Sequence, residues 1–457
     1  MLDNFSKLRE YLFYIGILGF ITLTPLYSQT LTNDTIEQLS QERHWKILLH
    51  FKEDESEIDD PRFFFADNGK IDLAQELNAT INALLNDKSD DDNSTMCLFP
   101  ARSKWIFLKL PHLKEVVYKP RCIALDAYVK AINAKQATLI FPTAHINSPA
   151  SMFGHTLLRL DDNFKTPLLA NSVNYAAATT ESNGVTFAFK GIFGGYQGRY
   201  SVLPYYKKID EYSSMESRDI WEYTLNLSPK ELEDIVLHIY EISDMYADYW
   251  FFSENCSYNI LWLLELARED IDLVHQFSMQ VTPIDTIRMI EENSLIKERN
   301  FRASKTRKMK GLFSLIEDKN SAVEYIHSGE VILDNDNVQE AQATLELATE
   351  YLRHLHIDNK VDKKSYTKRL IAYLRQRSKL GKLEHNISYD VDDPLLGHDS
   401  VRLNFGSDNR GYGIVGFKAS YHGVEDIEEG YIPGAYINFL DFQVKAKKMV
   451  QNLINSH

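Results

Sequence analysis

The sequence predicts an α+β protein built around a histidine that opens a strand and a cysteine that opens a later helix. Three observations lead there. Apolar residues recur at helical spacing in two blocks, Leu73, Leu77, Ile81 and Leu84 early and Leu345, Ala348, Leu352 and Leu355 late. Between the blocks lie short apolar and β-branched runs bounded by turn residues, at 138–141, 156–160, 168–175 and 185–189. From Ser400 onward the pattern becomes strand alternation: Val401, Leu403 and Phe405, then 414–421, then 435–439.

At 457 residues the chain is long enough for two or three domains with their own cores. Apolar content of 44% and aromatic content of 12% exclude a disordered chain. A net charge of −15 argues against nucleic acid, which needs a basic footprint, and confines any contact with anionic lipid to local patches. Lys7 and Arg9, an apolar run over 11–26 and then Ser28 read as an export signal over 1–28. An uncleaved anchor is the alternative, although the run is short for a span of about 20 residues and contains Pro25. Export makes the cysteine count informative. Of three cysteines, Cys97 and Cys122 flank a compact segment and are expected to pair, which leaves Cys256 as a free thiol. Three unpaired thiols is the alternative.

Taken in order, 30–134 reads as a helical region, with Trp45, Leu48, Leu49 and Phe51 on one apolar face and an acidic loop over 86–93. The central domain, 135–283, holds the chemistry. Pro149 makes 147–150 a loop, Gly154 permits a tight turn, and His155 sits where 156–160 begins a strand. Further on, Ser253 or Asn255 caps a helix carrying Ile260, Leu261, Leu263, Leu264 and Leu266, and Cys256 falls in its first turn. There the helix dipole and free N–H groups favour a thiolate. A cysteine at a helix start facing a histidine on a strand is the papain arrangement of nucleophile and base. The competing reading is a buried cysteine and a structural histidine with no connection between them.

The segments PASMFGHTLLRLD, NYAA, KGIFGGYQGRYS, ESRDIWEY and NCSY resemble the bacterial family named for the Lnb N-terminal periplasmic domain, over about residues 40–440. The histidine-first order also resembles the circularly permuted papain-like enzymes, among them the lecithin–retinol acyltransferase group and the NlpC-like hydrolases. The resemblance implies a permuted papain-like core, His155 as base and Cys256 as nucleophile. It further implies acyl transfer in the bacterial periplasm or envelope, through a thioester with an acyl group from phospholipid, passed to a lipoprotein amine or to water. Lnb-type transferases carry membrane helices after this domain and this chain shows none there, which puts the lipoprotein acceptor in doubt.

A third polar group must orient the imidazole, and Asn171, Ser172 and Asn174 compete for that place; Asn174, inside NYAA, is preferred. The glycine-rich stretch 190–200 lacks the ending of a P-loop. Lys190 and Arg199 there could hold a phosphate, with Tyr196 and, beside the cysteine, Tyr258 as further substrate contacts at a lipid surface. A plain glycine-rich hairpin is the alternative. Arg218 and Asp219 read as a structural ion pair. Leu227-Ser228-Pro229 starts a helix reaching about Tyr246, and Tyr249, Trp250, Phe251 and Phe252 crowd the approach to Cys256 and read as core, with the wall of an acyl-chain pocket as the alternative. The region 284–390 is helical and 391–457 is antiparallel β. No zinc spacing or dinucleotide fingerprint occurs, no cofactor is implied, and His398 and His422 read as structural. Two other functions compete with acyl transfer: amide hydrolysis in peptidoglycan, and a non-catalytic envelope scaffold.

Overall fold

A computed structural model describes residues 32–144, 154–162, 166–179, 184–215, 218–277, 280–328, 337–381, 387, 389–410, 412–427, 431, 434 and 436–447. The export signal, the loop at 147–150, Asn183 and the turn at 432–433 lie outside them. Among the described residues no helix is long and apolar enough to cross a membrane.

The N-terminal region is helical: α1 (Asn33–Ser40), α2 (Arg43–Leu48), α3 (Leu73–Asn86), α4 (Thr95–Leu98), α5 (Pro100–Lys109), α6 (Leu113–Val116) and α7 (Ile123–Ile132). A two-residue ladder of β1 (Phe51–Lys52) and β2 (Glu55–Ser56) interrupts it. Asp72 starts α3 by accepting the N–H groups of Ala74 and Gln75. Leu73, Leu77, Ile81 and Leu84 then share its buried face. Cys97 and Cys122 are joined by a disulfide, with their Cα atoms 5.2 Å apart.

The central sheet has seven strands, every neighbour antiparallel: β3 (Gln136–Pro142), β4 (Leu157–Asp161), β5 (Asn171–Ala177), β6 (Tyr196–Pro204), β7 (Ile220–Leu225), β8 (Ala247–Tyr249) and β9 (Ile296–Arg302). Their spatial order is β8-β6-β5-β4-β3-β7-β9. Strand β3, between β4 and β7, is buried on both faces, and its side chains divide accordingly. Leu139 and Phe141 enter the main core, which takes in α2, α3 and α5 and, beyond α8 (Gly184–Ile192) and α9 (Tyr205–Ile209), α10 (Pro229–Ile242) and α11 (Cys256–Ala267). Ile140 joins Leu157, Tyr205, Tyr212 and Ile220 in a smaller cluster. α10 starts from a capping box, with Ser228 and Glu231 each holding the other's backbone N–H.

The helical region that follows buries Leu312, Ala343 and Leu347 in one cluster and Tyr325, Leu345, Ala348, Leu352 and Tyr373 in another. The C-terminal sheet is a three-stranded antiparallel meander of β10 (Arg402–Ser407), β11 (Tyr412–His422) and β12 (Ile437–Lys447).

Four sequence expectations are corrected. The segment 185–189 is not a strand but part of a helix, Gly184–Ile192; a short apolar run does not distinguish the two periods. Gly191 is close-packed there, since a Cβ would lie 2.2 Å from the Phe251 ring. α10 ends at Ile242 rather than near Tyr246, because the chain turns into β8. The central unit does not stop at 283, for β9 pairs with β7 along its whole length. Arg218 and Asp219 do not pair. Arg218 donates to the carbonyls of Thr143 and Pro142, at 2.6 and 2.8 Å, while Asp219 accepts from Arg307 at 2.8 Å.

One polar network is sealed inside the N-terminal half. Arg102 and Glu76 are fully buried and 3.0 Å apart. Arg102 also donates to the Phe63 carbonyl and lies 3.8 Å over the Phe63 ring. Glu76 accepts the N–H groups of Phe65 and Ala66. Removing one charge strands the other without water, so Arg102→Ala is expected to destabilise the fold by about 3–5 kcal/mol in denaturant unfolding. Thiol titration of the denatured, unreduced protein should return one free cysteine, Cys256; three would contradict the disulfide.

Candidate functional site

Three strands and one helix bring the site together. Gly154, at φ +99°, lies against Phe141, where a Cβ would come 2.5 Å from the ring. Only glycine takes that backbone turn and that contact together. The turn delivers His155 to the head of β4, with its N–H 3.4 Å from the Pro142 carbonyl. β5 runs beside β4, and Asn174 projects from it so that its Oδ1 lies 2.7 Å from His155 Nε2. An oxygen acceptor there requires Nε2 to carry the proton, which leaves Nδ1 as the basic nitrogen.

Asn255 sets the sulfur. Its Oδ1 accepts the N–H groups of Ser257 and Tyr258, and its Nδ2 donates to the carbonyls of Phe251 and Val281 at 3.0 and 2.7 Å. That cap starts α11 at Cys256, and α11 packs against β4 and β5. The thiol is 3% exposed and the imidazole beside it is half-buried.

Burial alone would push the Cys256 thiol up. Opposing it are the charge and hydrogen bond of His155, the backbone N–H of Thr156 and the Ser257 hydroxyl, and the balance falls to about 7. The Ser257 Oγ is 3.7 Å from the sulfur and accepts from Thr156 Oγ1 at 3.0 Å. Two residues upstream, burial and then the neighbouring Glu57 and Asp59 carboxylates raise Glu254 to about 8. Glu254 is therefore mostly protonated at neutral pH and does not oppose a thiolate there.

Tyr249 is the residue that the sequence reading missed. Its buried phenol lies against Cys256, whose charge and polar groups act on it. Burial is the first of the causes holding it well above the usual phenol range, so it stays a donor. The available signal was period-two alternation in a three-residue strand, with Tyr249 turned in and Asp248 out.

The expected substrate contacts do not converge. Lys190 lies over the Tyr196 ring, 5.6 Å from Nζ to centroid, and Tyr196 is buried. Arg199, an odd number of residues along β6, takes the opposite face. There it donates to the Asp244 carbonyl at 2.7 Å and to Gln197, and stacks near Tyr246. No shared phosphate clamp results. Tyr258 is fully buried, its hydroxyl 2.6 Å from Glu57 and 3.0 Å from Lys52, and so braces the interior. Tyr206 is exposed but Tyr205 is buried against Glu222. A surface cavity lined by His44, Trp105, Lys109 and Asp234 contains none of the site residues.

The arrangement defines a mixed α+β protein in which a thiol, an imidazole and a carboxamide converge. Residues 124–293 match the Lnb N-terminal periplasmic domain, which supports a periplasmic or envelope location. The match spans His155, Asn174, Tyr249 and Cys256. Domains of unknown function match 37–109, 300–385 and 391–453. Neither the curated proteins nor the solved structures provide a match.

Alkylation of Cys256 by iodoacetamide is expected to titrate with a midpoint near pH 7. In His155→Ala the midpoint should rise toward the ordinary thiol range near 8.5, which slows the reaction at pH 7 by about tenfold or more. Asn174→Ala should shift it in the same direction by less. A profile unchanged by His155→Ala would separate the two side chains electrostatically.

Proposed function

We propose that this protein is a cysteine-dependent acyl-transfer enzyme of the cell envelope, with a permuted papain-like core. The observation that carries the reading is the continuous contact from Asn174 through His155 to Cys256 at the start of a buried helix. His155 takes the thiol proton, and the thiolate attacks the carbonyl carbon of an ester. The C–O bond breaks, and His155 returns the proton to the leaving alkoxide, giving an alcohol and a thioester on Cys256. In the second half His155 deprotonates an amine or water, which displaces the thiolate.

The N–H groups of Ser257 and Tyr258 are taken by Asn255, and the Tyr249 phenol lies against Cys256. The Tyr249 hydroxyl, kept protonated by burial beside Cys256, is the donor assigned to the oxyanion.

A phospholipid donor draws on the resemblance and on one further observation. In the helix Gly184–Ile192 and just beyond it, Phe189 and Phe193 are 63% and 61% exposed. The Gly191 carbonyl of that helix accepts the Phe251 N–H at 2.8 Å, five residues before Cys256. An apolar ridge joined to the cysteine segment is suited to a bilayer surface.

Incubation with phosphatidylethanolamine vesicles followed by intact-mass analysis tests this. One acyl chain on Cys256, with release of lysophospholipid, is expected. No adduct should form in Cys256→Ala, and Tyr249→Phe should lower the rate of acylation by about a hundredfold. Failure to acylate, together with release of peptide from peptidoglycan, would replace the lipid reading with amide hydrolysis.

A further inference from the structure

His398 and His422, read from the sequence as structural, meet at the junction between the C-terminal sheet and the body of the protein. His398 lies just before β10, and His422 is the last residue of β11 and is buried. Asp426 follows in the turn after β11. One donor atom from each of the three lies within 4.8 Å of the other two. Tetrahedral coordination at zinc–ligand distances of about 2.0–2.1 Å puts donors roughly 3.3 Å apart, so the three need close by at most about 1.5 Å.

The hydrogen bonding of His398 points to a ligand. Its Nδ1 is 2.6 Å from the Asp399 carbonyl oxygen, which only an N–H can approach. That fixes the proton on Nδ1. Yet Nε2 is 3.0 Å from Asp426 Oδ2, another acceptor. A neutral ring cannot donate at both places. Either the imidazole carries two protons, or a cation sits between Nε2 and the carboxylate. The supporting contacts resemble the outer shell of a metal site. Asp426 Oδ1 is held by Arg402 at 3.3 Å, and Oδ2 also accepts the Gly423 N–H at 2.8 Å. Arg402 is itself set over the Tyr421 ring at 3.9 Å. The His422 ring is stacked on Tyr431, with centroids 3.7 Å apart.

We propose that His398, His422 and Asp426 bind a divalent transition metal of the zinc class, with water in the fourth position. Two imidazoles select against magnesium and calcium, which prefer all-oxygen shells. The metal would pin the end of β11 to the segment before β10. That segment is already tied to the body, since Ser400 Oγ lies 3.0 Å from Thr282 Oγ1 and its carbonyl accepts the Tyr421 N–H at 2.8 Å.

The test uses the full chain in a Cys256→Ala background, because the thiol and His155 could themselves capture a soft metal. Metal-stripped protein is titrated with Co2+ and then Zn2+. One Co2+ per chain with ligand-field bands in the visible is expected, and Zn2+ should displace it. His422→Ala and His398→Ala should each lose the bands and weaken Zn2+ binding by at least about tenfold. Far-UV circular dichroism identifies any variant that fails to fold, and Asp426→Asn then serves as the milder replacement. Equal binding by the parent and all three variants overturns the proposal. So does a parent that binds no metal, which would assign His398 to a simple imidazolium–carboxylate pair.

Discussion

The site depends on one buried carboxamide. Asn255 makes four hydrogen bonds, two as acceptor and two as donor, and they reach three separate stretches of chain. It closes the first turn of α11, holds the Phe251 carbonyl in the bend after β8 and fastens Val281 across them. A buried amide with all its groups satisfied has one orientation, so the helix can begin at only one residue. That residue is Cys256. Shortening or reversing the amide would leave helical N–H groups unpaired in the core and release the start of the helix from the sheet.

The sheet supplies the matching constraint. In an antiparallel ladder a slip of one residue turns every side chain to the other face. With Leu158 opposite Val173 and Asn174 opposite Ser201, the carboxamide of Asn174 faces the turn that carries His155. The same register puts Tyr196 beneath Lys190 and sends Arg199 outward. The feature that assembles one polar group at the site thus removes the basic residue that the sequence had grouped with it.

How much of this could be read in advance follows the range of the interactions. Ser228-Pro229 and Asn255-Cys256 announce helix starts because caps are local, and α10 and α11 begin at those residues. The strand after His155 is equally local. The helix over 184–192 was illegible because its apolar alternation fits either period, and what decides between them is the Phe251 ring from a distant segment. Tyr249 looked like core, and it is core, but its phenol also lies against Cys256, seven residues on, which no spacing rule indicates. His398 and His422 are brought together by the tie of the pre-β10 segment to the end of β11, which no short motif encodes.

The disulfide has a consequence for how the chain matures. Polypeptides are made from the N-terminus, so Cys97 and Cys122 become available for oxidation well before Cys256 exists. Their early bond removes the two partners that could otherwise capture the later sulfur in a non-native crosslink. Once α11 has formed, burial shields the remaining thiol from exchange. The order of the cysteines along the chain thus favours leaving Cys256 as the free thiol.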